Sequence, residues 1–81
     1  MNVIEQVLTT LRSEIQGQLI DRGRVMDHLL DLRADSRDVP SLLEVIDQLL
    51  AELPGVSVVE TSWWAAALDR LADAAGTVPA A

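Results

Sequence analysis

An apolar repeat over residues 39–53 restricts the fold of this 81-residue chain more than any other feature. At 100° per residue, seven of its large aliphatic side chains lie within roughly 60° of one line: Val39, Leu42, Leu43, Ile46, Leu49, Leu50 and Leu53. The Pro54-Gly55 pair that follows ends the pattern. The segment is therefore predicted to be an amphipathic helix whose apolar face other elements must cover. Four of its residues are expected to be among the most buried in the protein: Leu42, Ile46, Leu49 and Leu53.

The first half of the chain predicts two further helices. Apolar residues at helical spacing cover residues 3–18, and Asn2 can cap the start of this helix. A second helix is expected over residues 22–35, where the apolar stripe resumes. Between them we expect a break or bend from Gly17 to Gly23, because glycine costs about 1 kcal/mol relative to alanine inside a helix.

The last two helices are expected to begin at capped turns. Pro40 fits the first turn of the third helix, and the fourth helix is predicted over residues 62–75 with Gly76 just beyond its end. The N-terminus of each of these two helices is expected to be capped by one of two side chains: Ser36 or Asp38 for the third helix, and Thr61 or Ser62 for the fourth.

The segment Val56–Val59 is β-branched and short. We interpret it as an extended connector rather than a strand, because no second strand is evident in the sequence to pair with it. Four short helices with short connections predict an all-α fold, a compact bundle of about four helices. The bundle is expected to form a single domain over residues 1–81, with a frayed tail at 77–81.

Composition excludes several classes of function. The chain has no cysteine, which removes disulfides and thiolate chemistry. No apolar run approaches the roughly 20 residues of a membrane span, and the charged N-terminal segment is unlike a signal peptide, so a cytoplasmic protein is expected. The net charge of −7 argues against direct binding of nucleic acid. Its six basic residues are all arginine, which is typical of a GC-rich bacterial or phage genome.

Two adjacent tryptophans, Trp63 and Trp64, are the only aromatic residues that the chain contains besides His28. Trp64 shares a helical face with apolar residues and is expected in the core: Leu68, Leu71 and Ala75. Trp63 points about 100° away, towards a surface of small neighbours: Ala67, Arg70 and Ala74. It either packs at the edge of the bundle, anchors a contact with another chain, or stacks on a base or cofactor. The contact hypothesis predicts a homodimer.

The negative charge is concentrated between residues 39 and 60, which carry four acidic residues and no basic one: Glu44, Asp47, Glu52 and Glu60. Such a face either keeps the protein soluble or docks a basic partner. The docking hypothesis makes Glu44, Asp47 and Glu52 candidate partner-binding residues.

The chain shows no motif for catalysis or for cofactor binding. Asp27, His28 and Asp31 have a spacing that occurs in metal sites, but a single histidine without a matching second motif favours a residue at the core boundary. The two aspartates, with Asp35, are expected to interact with Arg24 and other nearby arginines. No catalytic, cofactor or metal residue is therefore proposed.

These observations favour a non-catalytic interaction module, a small helical adaptor or regulator that self-associates. The alternative is an acidic inhibitor of phage type that occupies the nucleic-acid-binding surface of a partner protein, as an anti-defence protein or DNA mimic would. A further alternative is a structural subunit of a larger assembly. The first two differ in the partner's chemistry, since an inhibitor requires a basic groove.

Overall fold

The computed structural model describes residues 3–76 and confirms the all-α class, with 73% of the described residues in helices. Its elements in chain order are α1 (Val3–Ser13), β1 (Leu19–Asp21), α2 (Arg22–Asp35), α3 (Pro40–Glu52), β2 (Val58–Glu60) and α4 (Thr61–Gly76). The predicted cap at Asn2 and the predicted tail at 77–81 lie outside the described residues.

Helix α1 ends at Ser13 and not near residue 18 as predicted. Glu14 and Ile15 still bond back to α1 carbonyls, but Gly17 then takes a positive φ of 71° and turns the chain out of the helical path. This conformation favours glycine because it has no Cβ. The expected break between Gly17 and Gly23 is therefore confirmed, and it begins earlier than the apolar spacing of Ile15 suggested.

The connector prediction for Val56–Val59 is wrong, because Val58–Glu60 is a strand. It pairs antiparallel with Leu19–Asp21, and Ile20 lies opposite Val59. We call this two-stranded element the ribbon. The second strand was missed because Leu19–Asp21 lies within the segment assigned only to a helix break. The Nε of Arg22 also donates to the Pro54 carbonyl at 2.7 Å, which ties the start of α2 to the chain after α3.

The caps differ from those predicted for α3. Val39 precedes the helix and makes no capping hydrogen bond, while Pro40 occupies the first turn as expected. Ser36 is buried, and its hydroxyl donates to the Leu32 carbonyl at 2.6 Å. Ser36 thus satisfies a carbonyl at the end of α2 and does not cap α3, and neither does the exposed Asp38.

Helix α4 begins with Thr61 and Ser62, which lie inside it rather than before it. The Thr61 hydroxyl donates to the Gly17 carbonyl at 2.9 Å, and its N–H donates to the Gln18 carbonyl at 2.9 Å. The predicted cap at Thr61 is replaced by this tie between α4 and the turn before β1. Gly76 is the last residue of the helix and does not follow it.

The core lies where α3 and α4 meet. Helix α4 packs against both α1 and α3, and α3 also packs against α2. The largest fully buried side chains include one tryptophan and seven aliphatics from α2, α3 and α4: Trp64, Leu29, Leu32, Leu42, Ile46, Leu49, Leu68 and Leu71. The four residues that were expected to be most buried are all in this core, three of them in α3 and Leu53 directly after it. No helix in residues 3–76 is long and apolar enough to cross a lipid bilayer.

Candidate interaction surfaces

The two tryptophans have different environments. Trp64 is 1% exposed and belongs to the core, as its periodicity predicted. Its indole stacks on the imidazole of His28 in α2, with ring centroids 6.2 Å apart. Trp63 is half-buried and packs against the core from its edge. Part of the Trp63 ring therefore remains available on the surface of α4.

The small residues expected beside Trp63 do not form an open surface. Ala67 and Ala74 are buried, because α4 packs against α1 on one side and α3 on the other and so buries a wide stripe. The expectation that they face a partner is wrong for the monomer. Ala66, three residues after Trp63, is exposed. The surface around Trp63 on α4 is thus formed with Ala66 and Arg70.

Arg70 lies between α4 and α3 rather than projecting freely. Its guanidinium donates to both carboxylate oxygens of Glu52, at 3.1 and 3.3 Å, and to the side-chain oxygen of Gln48 at 3.1 Å. The structure brings Arg70 and Glu52 together between α3 and α4, although the sequence analysis placed Glu52 on a separate acidic face. Helical spacing puts Trp63 two turns before Arg70 on the same side of α4.

The acidic face of α3 is partly neutralised from neighbouring helices. Arg33 of α2 pairs with Asp47 at 2.9 Å, and Arg70 of α4 pairs with Glu52. Glu44 is exposed and has no ion pair within residues 3–76. The four acidic residues between 39 and 60 therefore do not present four free charges.

Helix α2 carries three further unpaired carboxylates. Asp27, Asp31 and Asp35 are exposed and form no ion pair with any described residue, so the expected pairing with Arg24 is wrong. His28 is half-buried at the core boundary, as expected. Within residues 3–76 no group of three or more His, Asp or Glu side chains is arranged to hold a metal ion.

The ribbon carries the most exposed apolar side chains. Of the large aliphatic residues in the described part of the chain, four are exposed: Leu19 at 58%, Val56 at 58%, Leu30 at 48% and Val58 at 43%. Three of them lie on or next to the ribbon. We define its outer face by the four exposed residues of the two strands: Leu19, Asp21, Val58 and Glu60. Sequence reasoning missed this surface because it did not identify the strands.

A depression of about 340 Å³ adjoins the outer face at Leu19 and Glu60, and its lining is completed by Gln18 and by Thr61 and Ser62 at the start of α4. A second one, of about 200 Å³, is lined by Glu14, Asp21 and Arg24 among others. Both are open and bordered by charged side chains, which suits contact with another chain better than enclosure of a small molecule.

Comparison with known proteins assigns the chain to no relative, since no family model, curated protein or solved structure matches it.

Proposed function

We propose that the protein is a non-catalytic protein–protein interaction module of the cytoplasm, an adaptor or regulator. The observation that carries the proposal is the exposure of three aliphatic side chains on or next to the ribbon: Leu19, Val56 and Val58. Covering such a cluster of aliphatic side chains releases water and favours association. The inner residue Val59 is buried, so the ribbon is held on the core before any partner binds.

Photo-crosslinking in cells tests the proposal. A photoreactive amino acid at position 58 should give discrete covalent adducts with another protein. The control places the same photoreactive amino acid at position 41, because Ser41 is an exposed polar residue in the first turn of α3. Adducts at position 58 that are no more abundant or discrete than those at position 41 would remove the support for an interaction module.

An acidic inhibitor of a nucleic-acid-binding protein is the second candidate. The net charge of −7 and the unpaired carboxylates of Asp27, Asp31 and Asp35 favour it. Such an inhibitor associates through charge, so replacing the unpaired Asp27 and Asp31 by lysine should slow association and flatten its salt dependence.

Duplex DNA added to a crosslinking reaction in cell lysate distinguishes this candidate from an adaptor. It should compete with the protein for an inhibited groove and lower the yield of adducts, whereas an adaptor bound through apolar contacts should keep its adducts. A structural subunit would differ from both, because the yield of its crosslinked adducts should rise and fall with the abundance of the assembly in the cell.

A further inference from the structure

We infer that the outer face of the ribbon binds an extended segment of a partner protein in which an apolar residue and a Lys or Arg lie two positions apart. The inference rests on the proposed interaction function and adds to it the chemistry of the partner. It depends on the register of the two strands, on the charges around them and on the exposure of their apolar residues.

The register arranges the outer face as a checkerboard. Leu19 lies opposite Glu60, and Asp21 lies opposite Val58. The pairs that flank them are hydrogen-bonded, since the Thr61 N–H donates to Gln18 at 2.9 Å and the Arg22 N–H donates to Ser57 at 3.0 Å. The alternation of an antiparallel ladder therefore makes the two outer-face pairs the non-hydrogen-bonded ones, whose side chains are closest together.

The same alternation directs backbone groups to the edges of the ribbon. In non-hydrogen-bonded pairs, the N–H and C=O groups point away from the partner strand. Leu19 and Val58 thus present backbone groups at the two edges where a further strand is able to add. An extended segment bound there would place every second side chain on the outer face.

The charges around the face select a basic segment. Asp21 and Glu60 are exposed on it, and Glu14 lines the neighbouring depression with Arg24. The outer face itself carries the first two of these carboxylates and no cation, and the Nε of the adjacent Arg22 donates to the Pro54 carbonyl. A second copy of the chain would bring the same carboxylates and a further net charge of −7. A segment with Lys or Arg complements the face instead.

The apolar residues set the spacing of the segment. Leu19 and Val58 lie on one diagonal of the checkerboard, and the two carboxylates lie on the other. A strand added beside either edge meets one apolar and one acidic residue of the outer face, two positions apart. It therefore needs an apolar residue and a basic residue that are also two positions apart, since only every second side chain lies on that face. The buried Val59 and half-buried Ile20 fix the ribbon on the core, which lowers the cost of ordering it on binding.

Titration of the ¹⁵N-labelled full chain with a synthetic peptide in which Val and Arg lie two positions apart, with Thr between them, tests this inference. The amide resonances of residues 19–21 and 58–60 should shift, and the affinity should fall as salt concentration rises. A peptide with Glu in place of Arg should not bind. The double variant Asp21→Asn, Glu60→Gln should weaken binding by roughly fivefold or more, because it removes both charges of the face.

The substitutions are chosen to keep the fold. The carboxylate of Asp21 accepts from the Arg24 N–H at 3.1 Å and caps α2, and asparagine retains that acceptor. The matched control is Asp27→Asn with Asp31→Asn, which changes the net charge equally at exposed, unpaired positions of α2. It should weaken binding less than about twofold, since distant exposed charges are screened.

Three results would overturn the inference: equal weakening by the control variant, equal binding of the Glu peptide, or shifts centred away from the ribbon. Movement of the ribbon resonances with protein concentration alone would overturn it too, because the occupant would then be a second copy. The proposed function is tested separately. Adducts at position 58 in cells together with failure of the Arg peptide would reject only the basic segment, whereas absence of adducts would reject the interaction module itself.

Discussion

The imidazole of His28 lies nearly parallel to the indole of Trp64, with 13° between the ring planes and 6.2 Å between the centroids. This stack joins α2 to α4 across the edge of the core, although these helices each pack mainly against α3 or α1. Aromatic pairs in this distance range contribute about 0.5–1.5 kcal/mol beyond the area that they bury.

Replacing Trp64 by alanine should lower the free energy of unfolding by about 3–5 kcal/mol, because the change leaves a cavity at a fully buried site. Urea denaturation monitored by circular dichroism measures this change in the free energy of unfolding. Trp63→Ala is the matched control and should cost less, since the Trp63 side chain is only partly buried. Equal losses for the two variants would show that the different burial of the rings does not determine their contribution to stability.

Ile46→Ala tests the position of α3. The side chain is 0% exposed in the core between α3 and α4, so its truncation should cost about 2–5 kcal/mol. Glu44→Ala on the exposed side of the same helix should change stability by less than about 0.5 kcal/mol. A loss below about 1 kcal/mol for Ile46→Ala would mean that α3 is peripheral.

Gly17 gives a test of the turn that separates α1 from β1. Its φ of 71° is strained for a residue with a Cβ, so Gly17→Ala should destabilise the protein by about 1–2 kcal/mol even though no neighbouring atom would clash. Gly55→Ala is the control, because Gly55 has open space and no positive φ. It should be neutral or slightly stabilising. Equal effects of the two substitutions in denaturant titrations would contradict the strain argument.

Helical periodicity predicted the four helices well but could not predict the ribbon. The stripe of α3 depends on local spacing, which a sequence displays directly. The pairing of Ile20 with Val59 joins residues far apart in the chain, and strands of three residues are too short to show an alternating pattern. The β-branched Val58 and Val59 were the available signal, and a search for a second apolar pair near Gly17 would have found Leu19 and Ile20.

The candidate surfaces were harder to predict, because side-chain pairing depends on neighbouring helices. The sequence places Glu52 and Arg70 on separate helices, and only the packing of α3 on α4 shows that they form an ion pair. Similarly, Ala67 faces the core because α4 contacts two helices at once. The separation of Trp64 from Trp63 was predictable, since it follows from the angle between consecutive helical residues.

The ion pair between Arg12 and Asp69 links α1 to α4 with an N–O distance of 2.6 Å. Both side chains are more than half exposed, so solvent screens their attraction. A double-mutant cycle with Arg12→Ala and Asp69→Ala should give a coupling energy of about 0.2–1 kcal/mol. The same cycle for Arg70 and Glu52 provides a comparison. A coupling above about 2 kcal/mol at low salt would show that the exposed pair orders the interface of α1 and α4.

Self-association through Trp63 stays a prediction, and the structure changes the residues that would take part. Ala66 is exposed three residues from Trp63, whereas Ala67 and Ala74 are buried. A two-fold contact would therefore use Trp63, Ala66 and the side chain of Arg70 on both copies. Sedimentation over a concentration series should show a dimer that Trp63→Ala weakens by about 2 kcal/mol or more if the ring is a hot spot.

Ala66→Arg separates the contact from the fold. A long charged side chain at an exposed position beside Trp63 should prevent close approach of a second copy and leave the stability of the monomer nearly unchanged. Ala72→Arg adds the same charge at an exposed position on the opposite side of α4 and should leave the dimer intact. If the wild-type protein stays monomeric at high micromolar concentration, Trp63 serves as an edge of the core or contacts a different protein.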